Sequence, residues 1–253
     1  MSGRLSSRSQ HCLAQGFKLA DLIPRACAKA DPEFPAMITR RTFNAALAFA
    51  GTTAMVGALP WKLVNSAFAQ EPAAIAKPST LGDMSLGAKD APVTIIEYAS
   101  MTCPHCAAFT KDVFPQIKST YIDTGKVRFI FREFPLDQVA LAASALARCV
   151  AKDDSNKYFA IIDILFNQQA GLQNQAFETI NRVGKQAGLT EAMIKACVQD
   201  DLTVQKGILA DREYANQTLK IDSTPSFFIN GTLVKGETSF DGFKKIIDPL
   251  LKS

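Results

Sequence analysis

The run Val93-Thr94-Ile95-Ile96-Glu97-Tyr98 is β-branched and aromatic, and four residues separate it from Cys103-Pro104-His105-Cys106. Behind it Cys106, Phe109, Val113 and Ile117 recur at helical spacing. The pattern predicts a buried strand feeding a helix whose first turn carries two cysteines three apart. A fold that accepts this chain must therefore place a reversible dithiol/disulfide pair at a strand-to-helix junction.

The first amides of a helix have no internal partners and the helix dipole is positive there, so a thiolate at Cys103 is favoured. Cys103 is the expected nucleophile. Pro104 suits the first helical turn, and His105 is placed to set an imidazolium beside the sulfur. Cys106, one turn in and on the apolar face, is the expected resolving thiol. A stabilised thiolate favours the reduced pair, which makes the disulfide form an oxidant of other dithiols. Two other uses of C-x-x-C are a zinc site and a short-loop structural disulfide. Zinc sites normally need a second C-x-x-C or paired histidines, and the only histidines are His11 and His105, so no metal is expected.

A second landmark is Thr224-Pro225-Ser226-Phe227-Phe228-Ile229-Asn230-Gly231, where a proline leads into a strand and Asn-Gly signals a hairpin. From position alone Pro225 is either a strand-initiating trans proline or a cis proline fixing a loop.

With Asp90-Ala91-Pro92-Val93 and Ile96-Glu97-Tyr98 ahead of the C-P-H-C motif and this T-P-x-F-F-x-N-G segment far behind it, the chain resembles the DsbA family of thioredoxin-fold disulfide oxidoreductases from about Met84 to its end. The resemblance implies an α/β thioredoxin-like fold, βαβ plus ββα in one mixed sheet, with an inserted helical subdomain. It implies a cis Pro225 lying against Cys103, and Thr224 offering backbone groups to a bound substrate chain. It also gives Glu97 the place of a buried acid that moves protons for the buried cysteine. The residues alone leave Glu97 open: a buried carboxylate has a raised pKa unless paired, and Arg132 is a partner within the same sheet.

The implied function is donation of the Cys103–Cys106 disulfide to reduced, incompletely folded exported proteins, with no cofactor beyond that disulfide. A membrane redox partner would reoxidise the pair, by family analogy. The alternatives are a disulfide isomerase or reductase, since related enzymes of that kind also carry Thr before the cis proline, and a thiol-based chaperone or Cu(I)-binding module. The short segment after Gln70 leaves no room for the dimerisation domain such isomerases use, and a monomer is expected.

The formal net charge of +4 is unevenly placed. Met1–Ala69 holds eight of the 28 Lys/Arg and three of the 24 Asp/Glu, so the remainder is balanced and nothing suggests nucleic acid. Thr39-Arg40-Arg41-Thr42-Phe43, an uncharged stretch from Asn44 to Trp61 and a small-residue site at Ala67-Phe68-Ala69 resemble a twin-arginine export signal. Cleavage after Ala69 and a periplasmic location are expected; an uncleaved anchor is the rival reading. Translation begins at Met1 or, because earlier residues fit no export pattern, at Met37.

Residues 70–81 read as a tether and 82–253 as one domain. Within it, 137–217 is almost wholly helical in pattern. Cys149 and Cys197 fall in that segment. In an oxidising compartment they form a bridge, or else they are two small buried hydrophobes on helix faces.

Overall fold

The computed structural model describes residues 72–237 and 239–252. The leader, its paired arginines and the expected cleavage site lie outside the described residues.

Five strands form one mixed sheet: β1 (Met84–Leu86), β2 (Val93–Ala99), β3 (Val127–Glu133), β4 (Ser226–Ile229) and β5 (Thr232–Lys235), in the order β1-β3-β2-β4-β5. Only β2 and β3 run parallel, with Glu97 beside Phe131 and Ile95 beside Phe129. A parallel pair needs a crossover, and the segment after the C-P-H-C motif supplies it. It runs as α2 (Pro104–Ala108), a π turn (Phe109–Val113), α3 (Phe114–Ile117) and a second π turn (Lys118–Ile122). The β4–β5 hairpin closes as Asn-Gly predicts: Asn230 and Gly231 both take positive φ, at 44° and 84°. This is the βαβ plus ββα sheet that the resemblance implies.

Between β3 and β4 lie α4 (Gln138–Ala151), α5 (Ser155–Asn167), α6 (Gln169–Asn174), α7 (Ala176–Gln186), α8 (Glu191–Lys195) with a π turn (Ala196–Asp200), and α9 (Thr203–Gln217). The last helix, α10 (Phe240–Leu250), follows β5. Asp137, Asp154, Thr190 and Ser239 each accept the amide three residues on, which explains where α4, α5, α8 and α10 begin. Among the described residues no helix is long and apolar enough to cross a membrane.

The sheet separates two apolar layers. One face packs Ile95, Phe129, Phe131 and Phe227 against the crossover helix, α5 and α10, around Phe109, Phe159 and Phe243. The other packs Ile96, Tyr98, Ile130 and Phe228 against Ile75, Ala215, Leu219 and Ile221.

Residues 72–81 differ from a tether. They contain α1 (Pro72–Ala76), whose Ile75 is 4% exposed. The cause is Arg132, which donates to the carbonyls of Ile75 and Lys77 while its guanidinium pairs with Asp83 at 3.0 Å. Arg148 likewise donates to Gly82 O at 2.8 Å and pairs with the buried Glu133, which also accepts from Tyr158 Oη at 2.6 Å. A buried ion pair without such extra hydrogen bonds would not offset its desolvation. Here it fastens the incoming chain to β3 and α4.

Candidate active site

Cys103 stands at the N-cap of α2 in extended conformation (φ −77°, ψ 120°), and Pro104 is the first helical residue, where no amide bond is forfeited. The turn before it is held on both sides. Cys103 N donates to Ser100 O at 3.1 Å, and Gln169 Nε2 donates to the carbonyls of Met101 (3.1 Å) and Cys103 (2.8 Å). Thr102 Oγ1 donates to Asp137 Oδ2 at 2.6 Å, and Asp137 caps α4. The loop is thus bolted to the first and third helices of the insertion.

Across from the motif the Thr224–Pro225 peptide is cis. The Cys103 thiol donates to Thr224 O at 3.3 Å, so the proline loop faces the sulfur. Among the described residues the buried Thr224 hydroxyl has no partner. While Cys103 is a thiol that hydroxyl has no acceptor; a thiolate offers it one.

The two sulfurs differ sharply. Cys103 is lowered from about 9 to about 5, first because Cys106 donates its S–H to the thiolate, and further by Thr224 and by the amides of Cys106 and His105, all working against burial. Cys106, wholly buried, is driven strongly upward by burial, by its bond to Cys103 and by the nearby charges of Glu97 and Cys103. His105 is exposed, because the second position of α2 points to solvent; its backbone amide, rather than the imidazole expected from sequence, is among the groups that favour the thiolate.

Glu97 is 2% exposed and sits on β2 beneath the motif. Burial, and then the negative Cys103, push its carboxyl well above the ordinary value. Among the described residues its Oε1 has no hydrogen-bond partner. The Arg132 pairing left open by the sequence is not made: Arg132 lies on the other sheet face with Asp83 and Tyr98 Oη. Among the described residues no group of three or more His, Cys, Asp or Glu could hold a metal.

A thioredoxin family profile matches residues 79–249. Wolbachia pipientis alpha-DsbA1, a solved structure, is 34% identical with a TM-score of 0.63, covering 67% of this chain and 91% of that one. The chain belongs to the DsbA family.

Disulfide bond formation protein D of Bacillus subtilis is 30% identical to this DsbA-family chain over 180 residues, 70% of this chain and 80% of that protein. A Rickettsia bellii protein provisionally named protein-disulfide oxidoreductase is 38% identical over 151 residues, 59% of this chain and 57% of its own length. The chain thus spans about three-fifths of the length of the curated Rickettsia relatives it matches.

In this DsbA-family chain the structure brings together Glu97, Cys103, Pro104, His105, Cys106, Thr224 and Pro225. Cys149 and Cys197 are joined to each other, linking α4 to the π turn after α8, with Cα atoms 6.1 Å apart. Sequence reasoning missed Gln169, Thr102 and Asp137. Asp137 carried a weak signal, as a cap-type residue after Pro135 and ahead of a helical run. Gln169 carried none, since a single glutamine 66 residues away shows no periodicity or motif.

Proposed function

We propose that this chain is an exported thiol:disulfide oxidoreductase that donates the Cys103–Cys106 disulfide to reduced substrate proteins. The observation that carries the reading is the asymmetry of the pair: a thiol lowered to about 5 at a helix start, bonded to a buried thiol raised by its surroundings. Such a pair is more stable reduced than oxidised, so its disulfide is a ready oxidant.

In the forward step a substrate thiolate attacks Cys103 Sγ, the Cys103–Cys106 bond breaks, and Cys106 leaves with the electron pair. Because Cys106 strongly disfavours its anion, it takes a proton as it leaves. Glu97, held neutral by burial, is the group we assign to deliver it. A second substrate thiolate then attacks the substrate sulfur of the mixed disulfide and expels Cys103, the better leaving group because its pKa is low. The substrate leaves oxidised and the pair reduced. Pro225 and the backbone of Thr224 border Cys103 and form the surface on which the substrate chain lies. A membrane redox partner takes up the two electrons in a second cycle.

Export through the twin-arginine leader places the protein in the periplasm. The bonded Cys149–Cys197 pair supports an oxidising compartment. Reduced, incompletely folded exported proteins are the substrates, and the protein acts as a monomer.

The test is trapping. Cys106→Ser, its Cys103 first loaded as a glutathione mixed disulfide so that glutathione is the leaving thiol, should form trapped mixed disulfides with a reduced, unfolded test protein, and Cys103→Ser, loaded the same way at Cys106, should give none and no turnover. Adducts formed by Cys103→Ser instead would reverse the roles.

A further inference from the structure

The turn from Ser100 to Cys103 carries the reacting sulfur between β2 and α2, and two of its carbonyls are held from outside the sheet. Gln169 Nε2 donates to Met101 O at 3.1 Å and to Cys103 O at 2.8 Å. A primary amide carries both of its N–H groups on one nitrogen, so both are spent on this turn and they bracket Thr102. Cys103 O also accepts the amide of Ala107 at 3.1 Å, the first bond of α2. One side chain of the helical insertion therefore grips the residue on which α2 starts.

Gln169 stands on a fixed base. It opens α6, whose Leu172 is 1% exposed. Gly171 lets α6 lie against α7, since a Cβ there would meet Thr179 Oγ1 at 2.6 Å. The neighbouring Gln168 is fastened separately, its Oε1 accepting from Arg182 Nη2 at 2.5 Å.

The two cysteines are unbonded in this structure. When Cys103 and Cys106 are joined, the covalent bond restrains Cys103 whatever Gln169 does. Once that bond opens, to a dithiol or to a mixed disulfide, hydrogen bonds must hold the Cys103 backbone instead. The groups that favour its thiolate are Cys106, Thr224 and the amides of Cys106 and His105, and they act only while the sulfur stays within bonding reach. A contact that is stronger in one state of an equilibrium draws the equilibrium toward that state. We infer that Gln169 is a positioning residue for disulfide exchange: its carboxamide keeps Cys103 Sγ among its donors whenever the Cys103–Cys106 bond is open, and so adds to the oxidising strength of the pair. This role rests on the reading of Cys103 and Cys106 as an oxidising pair, and it makes α6 part of what sets the potential.

The experiment equilibrates the protein with graded glutathione buffers, in which protein disulfide and two glutathione thiols exchange with protein dithiol and glutathione disulfide. In Gln169→Ala, which removes both donors, the constant for reduction should fall about tenfold, the upper scale of one neutral hydrogen bond. That is a shift of about 30 mV toward the reducing side. The midpoint of the Cys103 thiolate absorbance should rise by up to about one pH unit. Gln169→Glu has the same shape but offers acceptors in place of donors near neutral pH. It should shift at least as far in the same direction, and it serves as the test if Gln169→Ala fails to fold. Gln168→Ala frees Arg182 one residue away and should leave both readings at the parent values, which separates a loosened α5–α6 corner from loss of the bonds to Cys103. A merely structural glutamine would weaken reduced and oxidised forms equally on urea unfolding and leave the potential unmoved. Folded Gln169 variants with the parent potential and midpoint, or an equal shift in Gln168→Ala, would overturn the inference. Failure of the oxidising-pair reading would show instead in the unsubstituted protein, as a pair no more oxidising than thioredoxin's.

Discussion

At the scale of single residues, the site works through two opposed environments a few atoms apart. Cys103 is at a helix start where donors converge, and Cys106 is inside the core. The ultraviolet absorbance of the thiolate in the reduced protein should titrate with a midpoint near pH 5, and Cys103→Ser should remove that transition. Because the folded pKa lies below the unfolded one, the stability this ionisation gives the reduced form is complete above about pH 9. It is lost as pH falls through about 5. The excess stability of reduced over oxidised protein should shrink across that window, read by urea unfolding of both forms. Glu97 has the opposite sign. Its folded pKa is raised, so the unfolded chain releases the proton first, and the native state is weakened as pH rises above 4.5. Glu97→Gln should therefore stabilise the fold at neutral pH by about 1 kcal/mol or more, because the side chain no longer has to take up a proton on folding, with the gain fading toward pH 4. A loss of stability at neutral pH would show that Glu97 is paired.

At the scale of elements, the insertion does more than lengthen the chain. Gln169 at the start of α6 and Asp137 at the cap of α4 hold the turn that presents Cys103. The Cys149–Cys197 bridge ties α4 to the π turn after α8. By chain-entropy arithmetic, closing a loop of that separation contributes about 4 kcal/mol. Replacing both cysteines by Ala should lower unfolding stability by up to that amount and leave the Cys103 titration unchanged. Full stability in the double variant would mean the bridge restrains little in the unfolded chain. Elements with strong local patterns were legible from sequence: β2 by its β-branched run, the helical insertion by its apolar pattern, the β4–β5 hairpin by Asn230-Gly231. Others were not. α1 is five residues with no acidic first turn, and the contacts that order it come from Arg132, 55 residues away. β1 has three residues, too few for alternation to show, and exists because Met84–Leu86 pair with Phe129–Phe131. The spacing of Cys106, Phe109, Val113 and Ile117 does not distinguish an α-helix from one opened by π turns.

For the whole molecule, the two halves of the candidate site are 118 residues apart in sequence, from Cys106 to Thr224, and the sheet unites them because β2 pairs with both β3 and β4. The placement of the two motifs was legible, C-P-H-C at a strand-to-helix junction from the local pattern and a cis Pro225 from the family resemblance, since position alone left cis and trans open. What surrounds Glu97 was not legible. Whether a strand carboxylate meets an arginine depends on which sheet face each occupies, and Arg132 beside Tyr98 faces away from Glu97 beside Phe131. The same packing leaves the acid alone under the thiol pair, while the reduced state owes its advantage to the donors that converge on Cys103. That advantage is the central claim, and equilibration of the Cys103–Cys106 pair against graded glutathione buffers measures it directly. A potential on the oxidising side, nearer DsbA's about −120 mV than thioredoxin's about −270 mV, is the expected result. A value at or below thioredoxin's would contradict it and make the protein a reductant kept reduced by an electron donor.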